Sequence, residues 1–273
     1  MYWSWETGRF DVTRRPKISV VTATWNAAST IRDCLGSFQS QTYDSAEHVV
    51  VDGASSDGTL EILHSCRDNL ATLVSEPDRG IYDALNKGIG YSTGDIVGFL
   101  HADDLFAHPR VLSAIADVFL DESVSAVYGD LQYVSQSDTQ RIVRNWQSEP
   151  FEPGLLSKGW MPPHPTLYVR REWYSRIGGF DARLRIAADY LSILQLFANP
   201  EFKAIYIPSV MVKMRVGGAS NSSVRGLIRK SREDWQALRQ VGTGVFASAR
   251  ALAWKNVSKV PQFAVPTRAP NLP

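Results

Sequence analysis

Cysteine and long apolar runs are scarce in this chain of 273 residues, and each shortage narrows the class of protein. The only two cysteines, Cys34 and Cys66, lack the spacing of a metal cluster or a disulfide framework. We therefore expect both to be small buried side chains in a reducing compartment. No apolar run reaches the roughly 18 residues of a membrane-spanning helix. Residues 1–15 also lack the apolar stretch of a signal peptide, and we treat them as a leader.

An excess of charge of one sign is missing as well. The 29 Lys and Arg residues against 28 Asp and Glu residues leave a net charge of +1, which gives no sign of a nucleic-acid partner. The chain also has neither a Gly-x-Gly-x-x-Gly fingerprint after its first predicted strand nor a P-loop. Nucleotide binding would therefore need another scheme.

Apolar, β-branched runs alternate with helix-compatible segments along the amino-terminal half. We predict strands over 17–24, 47–52, 71–75 and 96–100, and helices over 29–40, 60–66, 81–87 and 109–120. This order is typical of an α/β fold with a doubly wound, mostly parallel sheet. Ligands of such sheets bind outside the carboxyl ends of the strands.

Polar side chains follow the predicted strands at the points where ligands would bind. They are Asn26, Asp52, Asp57, Asp78, Asp103 and Asp104. For Asn26, Asp57 and Asp78, a turn or helix-cap role and a ligand contact are both open. Asp52 closes its strand and is not needed as a cap, which favours a binding role.

Two adjacent carboxylates, Asp103 and Asp104, stand just beyond the buried strand over 96–100. Like charges so close repel each other unless a cation lies beside them. Oxygen ligands suit Mg²⁺ or Mn²⁺, and such ions usually share substrate phosphates. The alternative is a solvated acidic turn that precedes the helix near Pro109.

Four segments in this order resemble the family-2 inverting glycosyltransferases, and more narrowly the bacterial group that builds surface polysaccharides. They are Ile18–Asn26, Val50–Thr59, Asp78–Gly88 and Gly94–Asp104. The likeness covers about residues 16–220. It implies a GT-A fold, in which a nucleotide-binding α/β half is joined to an acceptor-binding half.

The resemblance also implies roles for individual residues. Donor binding falls to Thr24, Trp25, Asn26, Asp52, Lys87 and Asp103, with Lys87 facing the donor phosphates. Asp103 and Asp104 become metal ligands. Trp25 replaces the usual Tyr and keeps an aromatic face. His101 stands where the family often has a first acidic residue; it is either a metal ligand or, as we favour, a ribose contact.

In the carboxyl-terminal half, we predict a strand over 126–134 and a Gly- and Pro-rich loop over 151–165. Trp160 and His164 in this loop are candidate acceptor-binding residues, because a Trp face suits a sugar ring and the family has a similar segment at its active site. By resemblance, Asp189 is the catalytic base; the alternative is a carboxylate that stabilises a helix amino terminus. Arg215 is a candidate phosphate contact beside a lid segment at 217–220.

The predicted domains are the GT-A catalytic domain over 16–222, a helical tail over 223–260 and a disordered end over 261–273. The catalytic domain divides into a nucleotide-sugar half, 16–108, and an acceptor half, 109–222. In the tail, apolar residues such as Leu238 lie opposite cations such as Arg232, and a second amphipathic stretch spans 246–260. Either these helices pack on the catalytic domain, or they bind a membrane surface.

The sequence thus predicts a glycosyltransferase that moves a sugar from a UDP- or GDP-sugar to a hydroxyl of a glycan or polyprenyl-diphosphate-linked glycan. It would use Mn²⁺ or Mg²⁺ and work in the cytoplasm, at the inner face of the plasma membrane. Two alternatives are a sugar-1-phosphate nucleotidyltransferase and a non-catalytic nucleotide-sugar-binding protein. The first should carry a Gly-rich basic loop after strand one, which this chain lacks. The intact carboxylates argue against the second.

Overall fold

A computed structural model describes residues 2–3, 10–11, 15–217, 224–242, 248 and 250–252. Most of the predicted leader and of the lid segment at 217–220 lies outside these described residues. So do most of the second amphipathic stretch and the whole of the predicted disordered end.

The strands follow the β-branched and apolar runs of the sequence. They are β1 (Tyr2–Trp3), β2 (Phe10–Asp11), β3 (Ile18–Thr24), β4 (Ala46–Asp52), β5 (Thr72–Ser75), β6 (Ile96–Phe99), β7 (Leu105–Phe106), β8 (Ala126–Val134), β9 (Ile142–Trp146), β10 (Tyr168–Arg170) and β11 (Ala204–Arg215). The strands predicted in the amino-terminal half agree to within about a residue at each end. Five short strands, β1, β2, β7, β9 and β10, were not predicted from the sequence, and neither was the long strand β11.

The helices are α1 (Ile31–Gln39), α2 (Thr59–Ser65), α3 (Ile81–Tyr91), α4 (Val111–Val118), α5 (Arg171–Ile177), α6 (Ala188–Phe197) and α7 (Val224–Gln240). The predicted loop over 151–165 contains only short 3₁₀ turns. Helix α3 continues to Tyr91, four residues past the predicted end, and α5 was not predicted.

One nine-stranded sheet runs through both predicted halves of the catalytic domain. Its order is β5-β4-β3-β6-β10-β8-β11-β7, with β9 also paired to β8. The strands β5, β4, β3 and β6 are parallel, as is the long β8–β11 ladder, whereas β10, β7 and β9 pair antiparallel to their neighbours. The fold is therefore α/β with a mixed, mostly parallel sheet, which confirms the predicted fold class.

Helices cover both faces of this sheet, and alternate residues of the central strands point to opposite sides. On β3, Val21 and Ala23 pack in the cluster that contains α3 and α6, whereas Ile18 and Val20 pack in the cluster that contains α1 and α4. A strand buried on both faces needs apolar side chains in succession. The near-continuous apolar runs of the sequence have this cause.

The first tail helix, α7, packs on the catalytic domain. Ala237 and Leu238 are fully buried and join the same core cluster as the residues of α6, and Ala251 is buried there as well. The structure thus favours the first of the two interpretations of the amphipathic pattern. No helix in the described residues is long and apolar enough to cross a membrane.

His48 on β4 is a buried, neutral imidazole in the centre of the fold. Its Nε2 lies 2.8 Å from Thr22 Oγ1, and the Thr22 hydroxyl donates its proton to the Leu100 carbonyl 2.7 Å away. Nε2 must therefore be the donor to Thr22. Burial lowers the pKa of His48 to about 3.

We expect His48 to make folding stability depend on pH. An unfolded histidine takes up a proton near pH 6.5, whereas folded His48 does so only near its lowered pKa. The contribution of the neutral ring to the free energy of unfolding is therefore greatest above pH 6.5. It decreases as the pH falls, by about 2 kcal/mol at pH 5. Urea unfolding at pH 7 and pH 5 measures this loss.

The matched variants are His48→Gln, which removes the titrating group, and His64→Gln, which changes an exposed histidine. The free energy of unfolding of His48→Gln should depend less on pH than that of the wild type, and that of His64→Gln should keep the wild-type dependence. An identical pH dependence in all three proteins would contradict the assignment.

Candidate active site

A cavity of about 960 Å³ opens at the carboxyl ends of β3 and β6, where the order of strands in a parallel sheet places ligand sites. It gathers most of the predicted site residues. Its lining includes Thr24, Trp25, Asn26, Asp103, Asp104, His164 and Asp189, together with Asp78 and His101. Residues more than 160 positions apart in sequence thus share one cavity.

The carboxylate pair lies directly after β6, and its second member is buried. Asp104 is only 1% exposed, and neither of its carboxylate oxygens has a hydrogen-bond partner within the described residues. Burial, with the neighbouring charge of Asp103, raises the pKa of Asp104 well above its usual range. A buried carboxylate without partners is costly. A cation at this place would remove that cost.

Arg215, at the end of β11, contacts the backbone of the Asp103–Asp104 pair. Its guanidinium donates to the Asp103 carbonyl oxygen over 2.7 Å and forms an ion pair with Asp33 on α1. The side chain is 4% exposed. Arg215 therefore ties the backbone of the acidic motif to α1, whereas its Nε has no hydrogen-bond partner in the described residues. Its predicted phosphate contact stays a prediction.

The described residues contain no group of three or more His, Cys, Asp or Glu side chains that could hold a metal ion. A divalent cation would thus be held by the Asp103–Asp104 pair together with ligands from water or substrate, which is how Mg²⁺ is commonly bound. The two partnerless oxygens of Asp104 fit such a cation.

Trp25 and Asn26 follow directly after β3 and line another part of the cavity. Trp25 is 68% exposed, and its side chain lines the cavity. Asn26 adopts a left-handed backbone conformation with φ of 49°, and its side-chain oxygen accepts the Ser56 N–H over 2.9 Å. Asn26 therefore has a structural role in the turn and also faces the cavity.

Asp52 and Lys87 lie outside the cavity lining that the described residues form. Asp52 is fully buried at the end of β4 and accepts hydrogen bonds from Ser55 and Ser75. Lys87 pairs with Glu76 over 2.7 Å and donates to the Pro77 carbonyl. Their predicted contacts with the donor base and phosphates stay predictions.

The two remaining turn carboxylates accept hydrogen bonds from backbone amides of the loops. Asp57 accepts from the Thr59 and Ala28 amides over 3.1 Å each, and Asp78 accepts from the Gly80 amide over 2.8 Å. Asp57 holds the loop after β4 against the loop after β3. Only Asp78 also lines the cavity.

Asp189 sits in the first turn of α6, on the wall formed by the carboxyl-terminal half. Its Oδ1 accepts the Tyr190 amide over 2.8 Å and lies 3.2 Å from the Tyr82 hydroxyl. Both of these described hydrogen bonds end on Oδ1, so Oδ2 is the oxygen that can accept a proton from a ligand. The orientation of the carboxylate is fixed by groups on α6 and on α3.

Two imidazoles lie near this carboxylate in the same cavity. The rings of His101 and His164 are 6.1 Å apart, and His101 Nδ1 and His164 Nε2 are buried without hydrogen-bond partners in the described residues. Burial lowers the pKa of His101, and it lowers that of His164 to about 4. Both rings are therefore neutral near pH 7 and offer a ring nitrogen each to a polar ligand.

Trp160 was predicted to stack on an acceptor sugar, but it packs in an aromatic cluster with Tyr128, Phe151 and Phe197. It lies outside the cavity lining formed by the described residues, and its acceptor role stays a prediction. Trp146 on β9 lines the cavity instead.

Sequence reasoning missed several residues of the cavity wall. They are Tyr133, Arg144, Trp146, Arg185, Lys230, Ser231 and Asp234. The Arg144 guanidinium lies 4.0 Å from the centre of the Tyr133 ring. The alternation in 142–146 could have indicated β9, but no local signal places residues of the tail helix at the cavity.

The sequence matches one known protein family and several named relatives. The model of Glycosyl transferase family 2 matches residues 19–185. A Mycobacterium bovis protein named PGL/p-HBAD biosynthesis glycosyltransferase is 32% identical over 77% of this chain and 81% of its own length.

Solved structures of two other proteins share the fold. The mannosyltransferase PcManGT from Pyrobaculum calidifontis, in complex with GDP-Man and Mn²⁺, aligns with a TM-score of 0.62 and 25% identity over 95% of this chain and 77% of that one. TarS 1–349 from S. aureus, in complex with UDP-GlcNAc, aligns with a TM-score of 0.64 and 18% identity over 87% of this chain and 70% of that one.

Proposed function

The chain belongs to glycosyl transferase family 2 and is a glycosyltransferase, and from this premise we propose an inverting, metal-dependent reaction. A sugar moves from a nucleoside-diphosphate sugar to a hydroxyl of a glycan or lipid-linked glycan. The observation that carries the proposal is one cavity with the Asp103–Asp104 pair on one wall and Asp189 on another. An inverting transfer without a covalent intermediate needs this division into a leaving-group end and a base end.

The donor binds at the end of the cavity formed by the loops after β3 and β6. The exposed face of Trp25 stacks on the nucleotide base. The buried hydroxyl of Thr24 has no hydrogen-bond partner in the described residues, and it donates a hydrogen bond to the base or accepts one from it. The P. calidifontis relative is in complex with GDP-Man and Mn²⁺. We therefore propose a UDP- or GDP-sugar as the donor.

Asp103 and Asp104 would hold the divalent cation, Mn²⁺ or Mg²⁺, which when bound neutralises the charge on the leaving diphosphate. The chain contributes the rigidity of this site. Arg215 fixes the Asp103 carbonyl from below, and the Asp104 amide donates to the His101 carbonyl over 2.9 Å. A site held in this way needs little rearrangement when the donor binds.

At the other end, Asp189 removes the proton from the attacking hydroxyl. The Tyr190 amide donates to Oδ1, the Tyr82 hydroxyl lies 3.2 Å from the same oxygen, and Oδ2 receives the proton. The neutral rings of His101 and His164 bind sugar hydroxyls without placing a positive charge beside the base. His164 keeps its predicted acceptor role in this proposal.

The acceptor belongs to bacterial surface-glycan synthesis in this proposal. The M. bovis relative carries PGL/p-HBAD biosynthesis in its name. An acceptor attached to a lipid would bring the enzyme to the inner face of the plasma membrane. Because α7 turns Ala237 and Leu238 to the core, contact with that surface would rest on the exposed cations Arg229 and Arg232.

We expect reversal of these two charges, in Arg229→Glu/Arg232→Glu, to weaken pelleting with anionic vesicles. Each cation near an anionic surface contributes about 1 kcal/mol, so the pair should account for about 2 kcal/mol at low salt. The effect should shrink at high salt because mobile ions screen it. Arg32→Glu, an exposed cation on α1, is the control and should pellet like wild type. Equal pelleting of all three proteins would contradict membrane contact.

The proposed function is tested by a panel of nucleotide sugars with Mn²⁺. A donor at a hundred times its dissociation constant adds about 2.7 kcal/mol to the stability of the folded protein, so the correct donor should raise the melting temperature. EDTA should abolish this rise. Release of nucleoside diphosphate on addition of an acceptor then measures turnover.

The same assay separates the alternatives. A nucleotidyltransferase would release inorganic pyrophosphate when given a nucleoside triphosphate and a sugar-1-phosphate. A non-catalytic binding protein would be stabilised by donor but release no nucleoside diphosphate. Either result would overturn the proposed reaction.

A further inference from the structure

Glu233, a buried carboxylate on α7, accepts three backbone hydrogen bonds from one turn. Its Oε2 lies 3.1 Å from the Arg185 amide, 2.7 Å from the Ile186 amide and 3.0 Å from the Ala187 amide. The side chain is 7% exposed. The sequence separation is 46 to 48 residues, so a distant helix supplies this contact.

The turn that Glu233 holds leads directly into α6. Ala187 is the N-cap of this helix, and an alanine side chain cannot accept a hydrogen bond from the first helical amides. The amides that Glu233 binds belong to the N-cap residue Ala187 and to the two residues before it, and a carboxylate on them forms charge-assisted hydrogen bonds near the positive end of the helix. Glu233 therefore fixes the chain just before α6, two residues from Asp189.

The same turn is held from its other side by Tyr82 on α3. The Tyr82 hydroxyl is 2.6 Å from the Ile186 carbonyl and 3.2 Å from Asp189 Oδ1. A hydroxyl has a single proton, so the position of the Ile186 carbonyl decides how Tyr82 meets the carboxylate. Glu233 holds the Ile186 amide. If Ile186 moved, it would displace Asp189 both through its contact with Tyr82 and through the start of the helix.

We propose that Glu233 is a positioning residue, which fixes the turn before α6 and thereby aims the Asp189 carboxylate at the acceptor hydroxyl. This inference rests on the proposed function, since it requires Asp189 to be the base. Glu233 lies beyond the segment matched by the family model, residues 19–185. Lys230, Ser231 and Asp234 of the same helix line the cavity, so α7 also closes its acceptor side.

The test is a double-mutant cycle between Glu233→Gln and Asp189→Asn. Glutamine keeps the size of the side chain and one accepting oxygen, but it loses the charge that strengthens all three hydrogen bonds. A base displaced by about 1 Å can cost ~10²-fold in rate. We expect Glu233→Gln to lower kcat by ~10- to 10²-fold, with the affinity for donor and metal unchanged, because the donor end lies on other elements.

In the Asp189→Asn background, Glu233→Gln should change the residual turnover by less than about twofold, because a residue that acts through Asp189 has nothing left to position. The control is Glu201→Gln, the same chemical change at a carboxylate that is 78% exposed, and it should keep wild-type kcat. Unchanged kcat in Glu233→Gln would overturn the proposal. So would an equal loss in both backgrounds, or a parallel loss of donor affinity, because these indicate a purely structural role.

If Glu233→Gln does not fold, Glu233→Asp replaces it in the cycle. Aspartate keeps the charge but is one methylene too short to reach all three amides, and its kcat loss should again vanish in the Asp189→Asn background. The two proposals fail separately. Normal turnover in Asp189→Asn alone would overturn the base, whereas slow turnover there with normal turnover in the Glu233 variants would overturn only the positioning role.

Discussion

Turnover should fall by ~10²- to 10⁴-fold in Asp189→Asn, the usual contribution of a general base. Asparagine keeps the size of the side chain and can still accept the Tyr190 amide, but it cannot take a proton from the acceptor hydroxyl. The interaction lost is made in the transition state, so kcat should fall while the affinity for donor and metal persists. Rates at saturating donor and acceptor, with donor affinity from thermal shift, measure the two effects.

Asp68→Asn is the matched control, because Asp68 is exposed and lies outside the cavity. It should keep wild-type kcat and donor affinity. Near-normal turnover in Asp189→Asn would mean that the base lies elsewhere. Loss of donor affinity with normal turnover at saturation would make Asp189 a donor ligand.

Asp104→Asn should abolish metal-dependent donor binding without loss of the fold. Mutation of a group that only hydrogen-bonds to a metal ligand lowers metal affinity by ~10–100-fold. Removal of a ligand itself should lower it by at least as much. The metal-free variant should be no less stable than wild type, because burial and the charge of Asp103 disfavour the charged Asp104 carboxylate more than nearby Arg215 favours it.

Isothermal titration with Mn²⁺ and donor, beside urea unfolding of the metal-free proteins, measures both quantities. Asp117→Asn changes an exposed carboxylate on α4 and should match wild type in both. Donor affinity that neither Asp104→Asn nor EDTA alters would contradict a metal at this pair. A large drop in the stability of metal-free Asp104→Asn would instead make Asp104 a structural group.

Much of the donor side could be predicted from local patterns. Near-continuous β-branched runs indicated β3, β4 and β6, and the carboxyl ends of parallel strands meet at one edge of a sheet. Thr24, Trp25, Asp103 and Asp104 therefore came together as expected. Asp52 also ends a strand, but Ser55 and Ser75 bind its carboxylate and it does not line the cavity formed by the described residues. Its donor contact stays a prediction.

The acceptor side was less predictable, because contacts with residues distant in sequence decide which of its side chains line the cavity. Trp160 and Trp146 are chemically equal candidates for a sugar platform, and composition favoured Trp160 in its Pro-rich loop. Phe197 and Tyr128 pack against Trp160, whereas the pairing of β9 with β8 brings Trp146 to the cavity. The acceptor role of Trp160 stays a prediction.

The sequence by itself determined the α/β class, the order of the main strands and helices in the amino-terminal half, and the identity of the carboxylates at strand and helix ends, because these depend on local periodicity and on neighbouring residues. Only the tertiary structure decided what covers the apolar face of α7 and where Glu233 and Arg215 direct their charges. An amphipathic pattern specifies that a face must be buried but not against what. The contacts of Glu233 with Ile186 and of Arg215 with Asp103 span 47 and 112 residues, and distances of that kind are set by the packing of the whole sheet.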